Sequence, residues 1–177
     1  MKGRWESWRA ERRLVRRLRR QLSELGITGP MGMEEVAERL GKHRGRPTML
    51  VPYPLLAGEA FGLWLGTTGA DYILYQETAS PLHREHIIAH EIGHMLCGHE
   101  SDEIDDQVMA DLIPGGRPDL VRSLLRRTHY DRPKERDAET AASLLLTEAQ
   151  TANQVLLPSR TPRAERMRAT LVDRPWL

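Results

Sequence analysis

The residues His90-Glu91-Ile92-Gly93-His94 hold the pattern in this chain that most clearly implies chemistry. Two histidines four apart on a helix project from one face, one turn from each other. Their imidazole nitrogens can then meet a single zinc ion as two corners of a tetrahedron. Glu91 points to the side of that face, where it can take a proton from a water activated by the ion and pass it to a leaving amine. The surrounding residues fit a buried metal-bearing helix, because Ile87, Ile88, Ala89, Ile92, Gly93, Met95 and Leu96 carry no charge. They cannot all face one way, so this helix is expected to be packed on more than one side.

A catalytic zinc needs a third protein ligand and an open fourth position. A later helix opening at Pro133 offers Glu135, Asp137 and Glu139. Asp137 shares a side with Ala141 and Leu144, and Glu139 with Ala142 and Leu146. Both flank the apolar stripe at comparable angles, so helical spacing alone does not choose between them. His83, His86, Cys97 and His99 lie close to the motif. The histidines can hold a ligand imidazole in one tautomer. Cys97 reads as a buried, unreactive thiol. Tyr72, His129 and Tyr130 are the candidate donors to a developing oxyanion.

These side chains have to be positioned by a modest framework. The chain has 177 residues, 40% hydrophobic and 29% charged, with a net charge of +1 and one cysteine. Those values fit a single globular domain with extensions and exclude an internal disulfide. No apolar run reaches the length of a membrane span, and the start lacks the apolar stretch of a signal peptide, so a cytoplasmic protein without membrane contact is expected. Short apolar runs at Met49–Val51, Ala60–Leu65 and Asp71–Gln76 read as strands, the last two joined through residues 66–70. A helix from Met33 to Leu40 is expected to stop at Gly41, and further helices to open at Pro118 and Pro133. The acidic stretch from Glu100 to Asp111 reads as a solvated loop or helix face.

Charge is unevenly spread. Residues 1–20 hold nine Lys/Arg against two Glu, a net of +7, which leaves −6 for the remainder. Val15, Leu18, Leu22 and Leu25, with Trp8 one heptad earlier, suggest an apolar stripe docking a basic helix that ends near Gly26. The division expected is a basic helical extension over 1–45, a catalytic domain over 46–152 and a tail over 153–177.

The segments HIIAHEIGHMLCGH and ERDAETAASLLL together resemble the ImmA/IrrE metallopeptidases, specifically the actinobacterial regulator or toxin-like branch. The resemblance covers residues from about 46 to 150 and includes GLWLGTTGADYILYQETASPLHREHII. It implies an α+β fold, mostly helical, with a small antiparallel sheet beside the zinc helix. It also implies zinc held by His90, His94 and the acidic residue before the alanine of the second motif, which is Asp137, with Glu91 as base. The family has Glu where this chain has Asp137, so Glu139 and Glu135 stand as substitutes. The implied activity is hydrolysis of a peptide bond in a protein partner, such as a helix-turn-helix repressor. The alternative reading is a non-catalytic regulatory or toxin-like protein with a structural zinc and a basic arm for DNA or a partner.

Overall fold

The hairpin expected around residues 66–70 is the centre of a four-stranded sheet. A computed structural model describes residues 2–55, 61–112, 120–121, 124 and 131–150. Strand β2 (Gly62–Gly66) pairs antiparallel with β3 (Asp71–Gln76), and Thr67 closes the turn by bonding to Ala70. Strand β1 (Thr48–Tyr53) adds parallel to β3, and β4 (Asp102–Glu103) adds parallel to β2, giving the order β1-β3-β2-β4. The sheet is therefore mixed, antiparallel only at its central pair. The class is α+β.

Alternation along the strands separates two apolar layers. Trp64 and Ile73, with Leu50 and Tyr75, face the cluster that contains α1 (Lys2–Glu24), α2 (Met33–Arg44), α3 (Pro81–Cys97) and α5 (Arg132–Gln150). Leu63, Leu65 and Leu74 face the opposite layer, where Met109 and Leu112 of α4 (Asp106–Leu112) meet Val121 and Leu124. Most of the helix expected at Pro118, and the tail over 153–177, lie outside the described residues. Leu18 and Leu22 of α1 and Val36 and Leu40 of α2 belong to the same buried cluster as Ile88, Ile92 and Met95 of α3. The basic N-terminal segment is thus part of the main core. Trp8 does not extend the docked stripe, because it is 45% exposed.

Gly41 does not end α2. The helix continues to Arg44 and stops at Gly45, which takes a left-handed φ of 76°. Gly41 serves close approach instead: a Cβ there would lie 2.8 Å from the Thr48 amide nitrogen and 3.0 Å from the Arg46 carbonyl oxygen. The α2–β1 junction delivers Arg44 and Arg46 to the fully buried Asp71. Arg46 bonds both carboxylate oxygens, at 2.9 and 2.7 Å, Arg44 donates at 2.9 Å and the Trp64 indole at 3.0 Å. One carboxylate on β3 so ties α2, the α2–β1 connection and β2 together. A bidentate guanidinium pair of this kind fixes geometry as well as contributing energy.

Candidate metal centre

Helix α3 starts where Ser80 accepts the His83 amide and Pro81 takes a first-turn position that needs no amide hydrogen. It ends at Gly98, left-handed at φ 72°, whose turn returns the His99 amide to the His94 carbonyl at 3.1 Å. Between these caps Ile87, Ile88, Ala89, Ile92, Gly93, Met95 and Leu96 are all buried, so the helix is enclosed on several sides as the sequence implied. Helix α5 packs along it more extensively than any other element. Asp131 caps α5 through the Lys134 amide at 3.1 Å. The crossing is tight at Gly93, where a Cβ would come within 2.5 Å of the Ala138 carbonyl oxygen.

The antiparallel crossing sets which acid meets which histidine. Glu135 reaches both motif histidines, with Oε2 3.3 Å from His90 Nε2 and Oε1 3.8 Å from His94 Nε2. The two Nε2 atoms are 3.1 Å apart. One turn further along α5, Glu139 lies 3.4 Å from His90 Nδ1 and 3.5 Å from His86 Nε2. Asp137 does not join this group. It faces Cys97 and His99, where its negative charge acts on both. The acid that the structure brings to the histidine pair is thus Glu135, one of the two substitutes, and not Asp137. The physical reason is the helical period: Glu135 stands three residues before the crossing residue Ala138 and shares its face, whereas Asp137 is turned about 100° away.

Three donor atoms from His90, His94 and Glu135 lie mutually within 4.8 Å, and they form the one such group among the described residues. Zinc–nitrogen bonds of about 2.0–2.1 Å in a tetrahedron put neighbouring donors about 3.3 Å apart. The Nε2–Nε2 separation of 3.1 Å lies near that edge length, and the two Glu135 oxygens lie 3.3 Å from His90 Nε2 and 3.8 Å from His94 Nε2 respectively. The remaining ring nitrogens are engaged. His94 Nδ1 lies 2.8 Å from His99 Nδ1, and His90 Nδ1 faces Glu139. Burial, reinforced by His90 and His99, lowers the His94 pKa to about 3, so its ring is neutral as a ligand requires. Two imidazoles and one carboxylate are a donor set suited to zinc with a position left over.

Glu91 does not contact the three donors, and lies beneath β2. Its side chain fills the space left by Gly62, where a Cβ would lie 2.7 Å from Glu91 Oε1, and it takes a hydrogen bond from the Trp64 amide. Burial and the nearby Glu135 charge raise its pKa to about 8 against that bond. A carboxyl group held in this way is mostly protonated at neutral pH, so a cation beside it would be needed to favour the ionised form that a base requires. His83 sits edge-on to Phe61, away from the donor atoms. Tyr72 packs into the layer on the far side of the sheet, and His129 and Tyr130 lie outside the described residues.

The Trp64 amide that meets Glu91 lies on the side of β2 turned away from β3, and Trp64 itself is buried. The Phe61 carbonyl accepts from Gln76 on β3, and the Gly66 carbonyl accepts from Ile104 on the other side. By alternation Gly62 and Trp64 turn their backbone groups away from β3. β4 pairs only with Leu65 and Gly66, so among the described residues no strand covers β2 at Gly62–Trp64. Comparison with protein-family models, with curated proteins and with solved structures finds no match for this chain.

Proposed function

We propose that this protein is a zinc-dependent metallopeptidase that cleaves a peptide bond in a regulatory protein partner. The observation that carries the reading is the convergence of His90, His94 and Glu135 at tetrahedral spacing with a buried carboxyl, Glu91, on the next residue of the same helix. When bound, zinc would supply Lewis acidity, polarising the scissile carbonyl and making a water acidic enough to lose its proton near neutral pH. His90, His94 and Glu135 would hold it. Glu91 accepts the proton of the attacking water and returns it to the leaving amine. The Trp64 amide orients that carboxylate, and His99 and Glu139 keep the two ligand rings in the tautomer that presents Nε2.

Two further features favour a peptide as substrate. Gly62, partly exposed on the side of β2 that no described strand covers, offers its backbone groups to an extended chain beside the site. The motifs around His90 and Asp137 resemble those of the ImmA/IrrE metallopeptidases, whose members act on helix-turn-helix repressors. That substrate class is carried by the resemblance alone.

Glu91→Gln separates chemistry from metal binding. The variant is expected to retain stoichiometric zinc by elemental analysis and to lose at least about 100-fold of peptide hydrolysis. Full activity in Glu91→Gln removes the proposed base. A wild-type protein that binds zinc and cleaves neither a repressor nor a peptide library supports instead a regulatory protein with a structural zinc.

A further inference from the structure

The solvent side of α1 is strongly basic, and the metal centre makes no use of it. Leu18, Leu22 and Leu25 define the face of α1 that docks on the core. At 100° per residue, Arg9, Arg12, Arg13, Arg16 and Arg20 fall on the opposite side, and all are exposed. Arg20 pairs with Glu24 at 3.5 Å, whereas Arg9, Arg12, Arg13 and Arg16 have no ion pair among the described residues. Trp5 and Trp8 border this basic face, 55% and 45% exposed, with ring centroids 5.1 Å apart in a stacked pair. The Arg9 guanidinium lies 4.8 Å over Trp5 and that of Arg12 4.6 Å over Trp8. Two large indoles left in water beside these arginines are not explained by the described core, which ends near Leu14.

We propose that this tryptophan–arginine ridge binds nucleic acid through phosphates and stacked bases, without reading sequence. Charge complementarity selects a polyanion, since the first twenty residues carry a net +7. The position of the tryptophans then distinguishes polyanions. A helix that lies in a membrane interface keeps its aromatic residues on the side away from its cations. Here the side away from the cations is consumed by the protein core, and the indoles share the cationic side. An acidic protein segment satisfies the arginines but leaves the indole faces unused. Single-stranded nucleic acid uses both, with guanidinium groups on phosphates and bases on aromatic rings. A single helix carries no base-reading register of its own, so binding is general.

The test is fluorescence anisotropy of labelled mixed-sequence oligonucleotides, single-stranded and duplex, titrated with the whole protein across a salt series. Four arginines without an ion pair among the described residues predict a log–log salt slope of about −2.8 to −3.6, hence about 50- to 150-fold weaker binding on going from about 50 to about 200 mM salt. Replacing Arg9, Arg12 and Arg16 together by Gln flattens that slope by about 2 to 3. Replacing Trp5 and Trp8 by Ala weakens single-strand binding by about tenfold or more and leaves the slope unchanged. All substituted residues are solvent-exposed, so circular dichroism and zinc content should match the wild type. Absence of binding at low salt overturns the proposal, as does an unaltered slope in the arginine variant or unaltered affinity in the tryptophan variant. Phosphatidylserine vesicles or polyglutamate bound as tightly as the oligonucleotides would overturn it in favour of a membrane or an acidic protein.

Discussion

Replacing Gly93 by Ala tests whether the metal centre depends on the closeness of two helices. The added Cβ would lie 2.5 Å from the Ala138 carbonyl oxygen and 3.2 Å from its carbonyl carbon, both backbone atoms that no rotamer change can remove. Ordinary contact begins at 3.4 Å, so α3 and α5 must separate locally by about 0.9 Å. Glu135 is one turn from Ala138 and moves with it. Its 3.3 Å separation from His90 Nε2 would then exceed 4 Å, beyond the roughly 3.3 Å edge of a tetrahedral site. A misplacement near 1 Å in a preorganised site costs about 100-fold in function, and overpacking a core costs about 1–3 kcal/mol. Zinc affinity measured by competition with a chromophoric chelator should fall by about 10- to 100-fold. Thermal unfolding without metal should show a loss of about 1–3 kcal/mol. A Gly93→Ala protein that folds, binds zinc as tightly as wild type and melts at the same temperature refutes the reasoning.

Two further predictions follow from buried groups. Asp71→Ala leaves Arg44 and Arg46 without their shared carboxylate, and because both guanidiniums remain about a quarter exposed the cost should be about 2–4 kcal/mol by urea unfolding; a change under about 1 kcal/mol contradicts the proposed tie between α2 and the sheet. Burial pushes the Cys97 thiol up to about 11, against the nearby Arg17. At pH 7.5 its thiolate fraction is then about one in 3,000, compared with about one in ten for an ordinary thiol. Iodoacetamide should modify the native protein at least about 100-fold more slowly than the urea-unfolded chain, and a native rate within tenfold of the unfolded one would count against this.

Periodicity exposed most of the framework and the centre of the site. The strand at Asp71–Gln76 and the helix opening near Pro133 are where local pattern placed them, because each depends on its own neighbours. The third acid was harder to read. Choosing among Glu135, Asp137 and Glu139 requires knowing where α5 crosses α3, which is a tertiary fact. The pair Gly93 and Ala138 carried a usable signal, since small residues on both helices mark the point of closest approach, and Glu135 lies on the Ala138 face. Glycine was ambiguous for a related reason: Gly41 and Gly45 look alike in sequence, but one admits a neighbouring strand and the other supplies a left-handed cap. Asp71 gave no local sign of its role, because Arg44, Arg46 and Trp64 reach it only after the sheet forms. Trp8 fits a heptad with Val15 and Leu22, but it stands 45% exposed and outside the buried cluster.

Metal stoichiometry of the purified protein and of its Glu135→Ala and Asp137→Ala variants probes the site most directly. One zinc per chain is expected in the wild type and in Asp137→Ala, with loss or at least about tenfold weaker retention in Glu135→Ala. A wild-type protein that takes up no zinc, or a variant series in which Asp137→Ala alone loses it, contradicts the proposed centre.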